Sequence, residues 1–473
     1  MSIDQTIDEA IRPVAEWLAD AIFYSVPIYG AEFPLIVGWL VVGAVFFTVY
    51  LGFINVRGLR HAVDLIRGRD VDRSDPGEVS HFQALATAVS GTVGIGNIGG
   101  VAVTLSLGGP GAAFWLMIAG LLGMTTKFVE CTLGVKYRRI NPDGSVSGGP
   151  MFTLERGLAE LGFARTGRVL GLFYAASIVV GCLGIGNMFQ SNQAYVQFVA
   201  VTGREHSFFA DKGWAFGTVL SVIVGLIIIG GIKSIARVTE KLVPFMVVLY
   251  LIGASAVILM NINAVPGAVV RIIEGAFTAE GVAGGAVGAM ILGFKRAAFS
   301  NEAGLGSAAI AHSAVQTSKP VTEGFVALLE PLIDTVIICS MTALVLTTTV
   351  YTSDQVGQGL AGIELTSAAF ESAIPWSPYP LSIAALLFAF STMIAWSYYG
   401  LKGWTYLLGE GPRKEVIFQA TFCIFVVLGA MIKLESFLDL ADALIYVMAV
   451  PNLLGLYLLA PIVKRELMEY SKD

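Results

Sequence analysis

A chain of 473 residues that is 55% apolar and 14% charged, with a mean hydropathy of +0.75, has too little charged surface to cover a soluble globule, and it belongs in a bilayer. Its formal charge of −6 is modest and spread through loops, which argues against a nucleic-acid or polyanion partner. Cys131, Cys182, Cys339 and Cys423 stand singly in four apolar stretches, without CxxC spacing or a neighbouring His, and read as buried thiols rather than metal ligands or disulfides.

Along the chain, Ile3, Ile7, Ile11, Val14, Leu18 and Ile22 recur at helical spacing against Asp4, Asp8, Glu16 and Asp20, so residues 1–31 read as an amphipathic segment on the outer membrane surface. Acidic residues stand where a signal peptide would be basic, so the first apolar run is expected to stay as a spanning helix. About eleven spans follow, near 33–55, 82–107, 111–137, 168–201, 213–231, 236–262, 282–315, 321–350, 379–408, 414–432 and 436–463. One set of loops between them carries Arg57, Arg60, Arg67, Arg69, Arg73, Lys136, Arg138, Arg139, Lys233, Arg413, Lys464 and Arg465 among others, while the opposite set carries only Arg12, Arg204, Lys212, Arg271 and Lys433. Basic residues are retained in the cytoplasm, so the N-terminus is expected outside and the C-terminus inside. The outer loop 351–378 contains a short helical pattern, Ile363–Ser372, read equally as a lid or a passive loop.

Two spans are interrupted by glycine. The second reads Ser90-Gly91-Thr92-Val93-Gly94-Ile95-Gly96-Asn97-Ile98-Gly99-Gly100, and the seventh Gly293-Phe294-Lys295-Arg296-Ala297-Ala298-Phe299-Ser300-Asn301-Glu302-Ala303-Gly304-Leu305-Gly306. Gly94, Gly96 and Gly99 match G-x-G-x-x-G, but the soluble strand and crossover helix of a dinucleotide site are missing. The interruptions lie five spans apart, at corresponding positions of two five-span halves, 82–262 and 282–463, with 33–55 as an extra helix. An odd-numbered half inverts its second copy, and paired discontinuous helices put a binding site at the membrane centre. The competing reading is that the glycines serve only close helix packing.

These residues resemble the alanine/glycine:cation symporters, also called sodium:alanine symporters. The resemblance rests on Thr92-Val93-Gly94-Ile95-Gly96-Asn97-Ile98, Gly108-Gly109-Pro110-Gly111-Ala112, Ser147-Gly148-Gly149-Pro150-Met151, Phe299-Ser300-Asn301-Glu302-Ala303-Gly304-Leu305-Gly306-Ser307 and Ser391-Thr392-Met393-Ile394-Ala395-Trp396. It implies an all-α leucine-transporter-type fold, a 5+5 inverted repeat behind one extra helix, and cation-coupled uptake of alanine or glycine across the cell membrane.

A small neutral amino acid is a zwitterion, and half-helix starts offer N–H groups for its carboxylate while half-helix ends offer carbonyls for a cation. Thr92 and Asn97 add side-chain hydrogen bonds, Phe299 and Trp396 could close the pocket, and the solute is expected among Thr92, Gly96, Asn97, Gln190, Phe299, Ser300, Gly304, Thr392 and Trp396. In the fourth span Gly184-Ile185-Gly186-Asn187 echoes the first break and leads to Gln190 and Gln193, of which Gln190 is the favoured solute contact. By the same resemblance, the coupling ion is Na⁺ held by the carbonyls of Ser90, Val93 and Phe388 with Ser391 and Thr392, and no further cofactor is called for.

Among charges inside spans, Lys127 and Glu130, one turn apart, read as a local pair, and Lys295, Arg296 and Glu302 flank the second break. Glu330 and Asp334 are helically spaced, and their titration would make H⁺ coupling an alternative. His61, His81, His206 and His312 show no ligand spacing and read as loop or helix-end residues. A channel would lack the paired breaks, and an intramembrane enzyme would need a zinc-type His/Glu motif or a G-x-S-x-G elbow; neither motif occurs.

Overall fold

The computed structural model describes residues 13, 16–28, 31–69, 74–278, 285–351, 362–432 and 435–472, without the side chains of 205 and 435–442. Of the expected amphipathic segment at 1–31, residues 13, 16–28 and 31 are described: 16–22 are helical, and 25–28 form a strand instead. A short antiparallel hairpin, β1 (Ser25–Ile28) and β2 (Ala31–Pro34), leads into α1 (Leu35–Tyr50). The first broken span is α2 (His81–Thr92) and α3 (Gly99–Gly108), joined by one 3-10 turn at Ile95–Asn97. Ser80 and Gln83 start α2 with a capping box, each side chain binding the other's backbone N–H. Then come α4 (Gly111–Lys136), a β3–β4 ribbon (Arg139–Ile140 with Val146–Ser147), α5 (Ala164–Leu183) and α6 (Phe189–Val201), α7 (Gly213–Ile228), α8 (Gly231–Met260) and the short α9 (Val265–Phe277).

The second half opens with α10 (Gly285–Asn301) and α11 (Ala308–His312). It continues through α12 (Pro320–Ala327), a π-turn at Leu332–Cys339 and α13 (Ser340–Thr348) to α14 (Ile363–Ala373), α15 (Pro378–Leu408), α16 (Pro412–Met431) and α17 (Glu435–Tyr470). Pro begins α12, α15 and α16, where the missing N–H costs no helix bond. Among the described residues, seven helices are long and apolar enough to cross a bilayer, and the bent pair α2–α3 makes an eighth span. α1 and α7, at 16 residues each, rise only about 24 Å and are shorter than the expected spans. α8 presents Phe245, Val248, Ile252 and Leu259 outward, a face suited to lipid. Short helix Ile363–Ala373 forms where the loop pattern predicts one, with 352–361 outside the described residues.

Buried charge organises the core. Lys127 Nζ donates to Glu330 Oε1 at 3.1 Å, which corrects the expected local pair with Glu130. Glu130 on α4 instead accepts from the Gly304 N–H and from Asn452 Nδ2, both at 2.8 Å, and Asn452 also donates to the Gly304 carbonyl at 2.9 Å. The second break therefore hangs from α4 and α17. Its chain turns sharply, with positive φ at Glu302 (56°), Gly304 (92°) and Gly306 (81°). Ser307 Oγ donates to the Glu302 carboxylate, and the Tyr174 hydroxyl donates to the Leu305 carbonyl at 2.9 Å.

Replacing Asn452 by Leu strips one donor from Glu130 and leaves the Gly304 carbonyl bare, a loss of about 2–5 kcal/mol for two buried polar groups. Thermal unfolding in detergent should show a clearly lower midpoint for Asn452→Leu, and a parent-like midpoint would contradict this account of the break.

Candidate functional site

Breaking a helix leaves carbonyls without partners, and at the first break side chains from three other elements take them up. α2 and the Ile95–Gly108 segment meet at 62°. Thr392 Oγ1 donates to the Ser90 carbonyl at 3.1 Å, and Trp396 Nε1 to the Gly91 carbonyl at 3.3 Å. Thr342 Oγ1 caps the Asn97 carbonyl at 2.9 Å, and Thr366 of α14 caps that of Ile98 at 3.0 Å. The N–H groups of Ile95 and Gly96 open the 3-10 turn, where a helix supplies no acceptor of its own.

Asn97 is the hinge of this region. Its Oδ1 accepts from the Gly94 N–H at 2.8 Å, closing the turn on itself. Its Nδ2 donates to Asp334 Oδ1 at 2.5 Å and to Ser300 Oγ at 3.1 Å, and Ser300 Oγ donates to Asp334 Oδ2 at 2.7 Å. One buried carboxylate thus ties both breaks together from the π-turn at Leu332–Cys339, and Thr335 also donates to it at 2.7 Å. π-turns recur at functional sites because they widen the helix locally. The sequence pointed to Asp334 only as a carboxylate one turn from Glu330.

Gly94, quoted in the motif but not expected as a contact, lies at the centre. A Cβ there would sit 2.9 Å from Thr392 Oγ1 and 3.5 Å from Gln190 Oε1. Gln190 is buried, with Nε2 on the Ile185 carbonyl at 3.3 Å and Oε1 unpartnered among the described residues. Gln193 turns aside to Asn192. Gly96 is flanked by Phe299, 3.2 Å from where its Cβ would be, and Phe299 meets Phe189 edge-on at 6.3 Å. Trp396 closes the opposite flank, so near Gly186 that a Cβ would lie 2.4 Å from it. Gly184–Met188 is a π-turn inside a continuous helix, not a second copy of the break. Thr92 spends its hydroxyl on its own helix, reaching the Ala88 and Val89 carbonyls at 3.4 Å each.

Gly304 does not join the cluster. Its N–H and C=O are taken by Glu130 and Asn452, and its Cα abuts Leu40, because the positive φ there turns the chain away from Gly94–Asn97. Lys295 and Arg296 lie over the rings of Phe23 and Phe299, at 4.2 and 5.5 Å.

Hard oxygens gather beside Gly94. Ser90 O accepts from Thr392 Oγ1, Ser90 Oγ donates to the Ser391 carbonyl at 2.6 Å, and Ser391 Oγ donates to the Phe388 carbonyl at 2.9 Å. Val93, with ψ 91°, turns its carbonyl out of the helix ladder. These neutral oxygens suit a monovalent alkali cation better than a transition metal.

Two clefts flank the centre at opposite ends. One of about 730 Å³ is lined by Glu78, Arg139, Asp143, Lys402, Glu410 and Glu415 among others, at the end rich in basic loops. There Ser145 donates two hydrogen bonds to Asp143, which holds that carboxyl below its usual value. The other, of about 300 Å³, lies between Gln197, Arg204, Glu364 and Glu371.

Asp334→Asn would place an amide against the donors of Asn97 and Ser300. Losing a charge-assisted bond of about 1.5–3 kcal/mol should weaken solute affinity at least about 10-fold in equilibrium binding, and unchanged affinity would separate Asp334 from the site.

Residues 18–473 match the model of the sodium:alanine symporter family. The chain is 38% identical over 430 residues to the sodium/alanine symporter AgcS of Methanococcus maripaludis, covering 90% of this chain and 92% of that protein. It is 34% identical over 431 residues to a probable sodium/glutamine symporter, GlnT, of Bacillus subtilis, covering 91% and 86%. Among solved structures, MhsT in complex with L-phenylalanine superposes with a TM-score of 0.58 at 14% identity, over 82% of this chain and 98% of that one, a likeness of fold of the leucine-transporter type.

Proposed function

The chain belongs to the sodium:alanine symporter family, a family of multi-pass membrane transporters rather than enzymes, and from that premise we propose that it takes up alanine or glycine together with Na⁺ by alternating access. The observation that carries the reading is the double use of one strand of backbone. Ser90–Val93 supplies carbonyls beside Ser391 and Thr392, while Ile95 and Gly96 supply N–H groups a few ångströms further on. In this proposal Na⁺ is held by Ser90, Val93, Phe388, Ser391 and Thr392. The solute carboxylate lies on the Ile95 and Gly96 N–H groups, and its ammonium on Gln190 Oε1, the amide oxygen that has no partner of its own. Asn97, Ser300 and Asp334 position that strand.

A small side chain fits the crowding. Phe299 stands 3.2 Å from a Cβ at Gly96 and Trp396 seals the far flank, so little volume remains beyond a methyl group. The two five-span halves, 82–262 and 282–463, serve as an inverted pair, with 33–55 as the extra helix. The termini follow the basic-loop asymmetry, N-terminus outside and C-terminus inside.

The driving force suffices. One Na⁺ entering down a tenfold gradient releases about 1.4 kcal/mol, and a 100 mV potential adds about 2.3 kcal/mol. Their total of about 3.7 kcal/mol sustains an accumulation on the order of 500-fold at one-to-one coupling.

Thr392→Ala removes one proposed Na⁺ ligand, worth about 1.4 kcal/mol, so the Na⁺ concentration for half-maximal uptake should rise about 10-fold while Thr392→Ser stays near the parent. An unchanged Na⁺ requirement in Thr392→Ala would move the ion elsewhere. In competition against labelled alanine, glycine should compete strongly and glutamine weakly; equal competition by glutamine would mean a wider side-chain pocket, as the name of the Bacillus subtilis relative suggests for that protein.

A further inference from the structure

The solute and ion described above leave one buried assembly unused, at the end of the molecule that carries the basic loops. His81 is the first residue of α2, His312 the last of α11, and Glu323 and Glu330 lie on the helix that begins at Pro320. All four are at most 3% exposed. His81 Nδ1 is 2.5 Å from Glu323 Oε2, and His312 Nδ1 is 2.6 Å from Glu323 Oε1. The far nitrogen of the second ring, His312 Nε2, faces Glu330 Oε2 at 3.7 Å, and neither atom has a hydrogen-bond partner among the described residues. Glu330 Oε1 is occupied by Lys127. The row therefore ties the basic-loop ends of both broken spans to one helix.

Counting protons along this row shows what is missing. Each neutral imidazole carries one N–H, and the short contacts to Glu323 consume both at the Nδ1 positions. His312 Nε2 is then a bare lone pair aimed at a carboxylate oxygen, two buried acceptors with no donor between them, which is costly in a low dielectric. One additional proton on Nε2 turns the repulsion into an ion pair. Charge balance points the same way. Among the described residues five carboxylates are buried in this core, Glu130, Glu302, Glu323, Glu330 and Asp334, with the ammonium of Lys127 among them; the other buried lysine, Lys402, lies apart, its Nζ on Ser147 Oγ at 3.3 Å. Glu130 and Glu302 face Lys127 from α4 and the second break. The remaining nearby cation, Arg138, is part-exposed and donates to the carbonyls of Pro76, Ser313, Val315 and Thr317.

We infer that His312 Nε2 and Glu330 Oε2 form a binding site for one proton, and that this proton latches the basic-loop end of the two broken spans shut. The proton arrives from and returns to water as H₃O⁺, with no bond between heavy atoms made or broken. With the proton bound, α2 and α11 are held to α12 through His81, Glu323 and His312. With it gone, His312 and Glu330 repel, α11 loosens, and α2 is freed to swing away from that end. The loop pairing of Glu78 and Val79 with Ala314 joins the same two half-helices, so they move together.

The test reads access without any solute or Na⁺, so its failure is separable from failure of the alanine assignment. Ala84, wholly buried one turn into α2, is changed to Cys as a reporter, and the exposed Lys472→Cys protein corrects for the thiol's own pH dependence. Labelling of detergent-purified protein by a water-soluble methanethiosulfonate should accelerate about 10-fold between pH 6 and pH 10 after that correction, as the loss of one proton from a buried imidazolium paired with a carboxylate requires. His312→Gln removes the proton acceptor and should label at the fast rate at both pH values. Glu330→Gln should do the reverse: its amide Nε2 donates to His312 Nε2 without a proton while its Oε1 still accepts from Lys127, so labelling stays slow at both. If His312→Gln does not purify as a single species, Glu330→Gln carries the test alone. A corrected ratio near one in the parent, or a parent-like ratio in Glu330→Gln, would overturn the inference.

Discussion

A peptide group inside a membrane has no water to turn to, and nearly everything in this structure depends on how two stretches of broken helix meet that constraint. At Ser90–Ile98 the orphan carbonyls are taken by hydroxyl and indole donors of Thr392, Trp396, Thr342 and Thr366, each arriving from a different helical turn. At Glu302–Ser307 the same need is met by a carboxylate, Glu130, with Asn452 beside it. The first solution leaves the Val93 carbonyl and the Ile95 and Gly96 N–H groups outside the helix ladder; the second takes up both backbone groups of Gly304. The breaks are thus unequal partners, and in the proposed function the first binds while the second is held in place.

That inequality follows from backbone geometry. Positive φ at Glu302, Gly304 and Gly306 folds the second break back on α4 and α17, while Gly94 is extended and keeps its neighbours exposed to the centre. Phe299 and Ser300, just before the second break, are what it contributes to the centre: a ring beside Gly96 and a hydroxyl on Asp334. Asp334 then couples the halves. Displacing either break disturbs its own hydrogen bond to that carboxylate, from Asn97 or from Ser300, and the Asn97–Ser300 bond between the two, which makes discrete rearrangement more favourable than gradual drift.

Much of this was legible in the sequence, and the gaps have physical causes. The break at Gly94–Gly100 and the interruption after Asn301 stand out because no continuous helix accommodates such glycine density. Thr392, Gln190 and Phe299 come to Gly94–Gly96 from three different spans, a convergence that only the family resemblance could suggest. Gly304 was misplaced because spacing says where a helix breaks, not which way the freed N–H will point. Lys127 was given the wrong partner for a similar reason: local spacing favours Glu130, but the carboxylate within reach across the core is Glu330. His81 and His312, 231 residues apart in sequence, are bridged by Glu323, and no local pattern encodes a bridge of that range.

The central claim is that the strand around Gly94 couples a small amino acid to Na⁺. The most direct measurement follows labelled alanine into liposomes containing the purified protein, with and without an inward Na⁺ gradient. The account predicts transient accumulation above the external concentration only when the gradient is present; uptake that merely equilibrates, identical in both conditions, would contradict it.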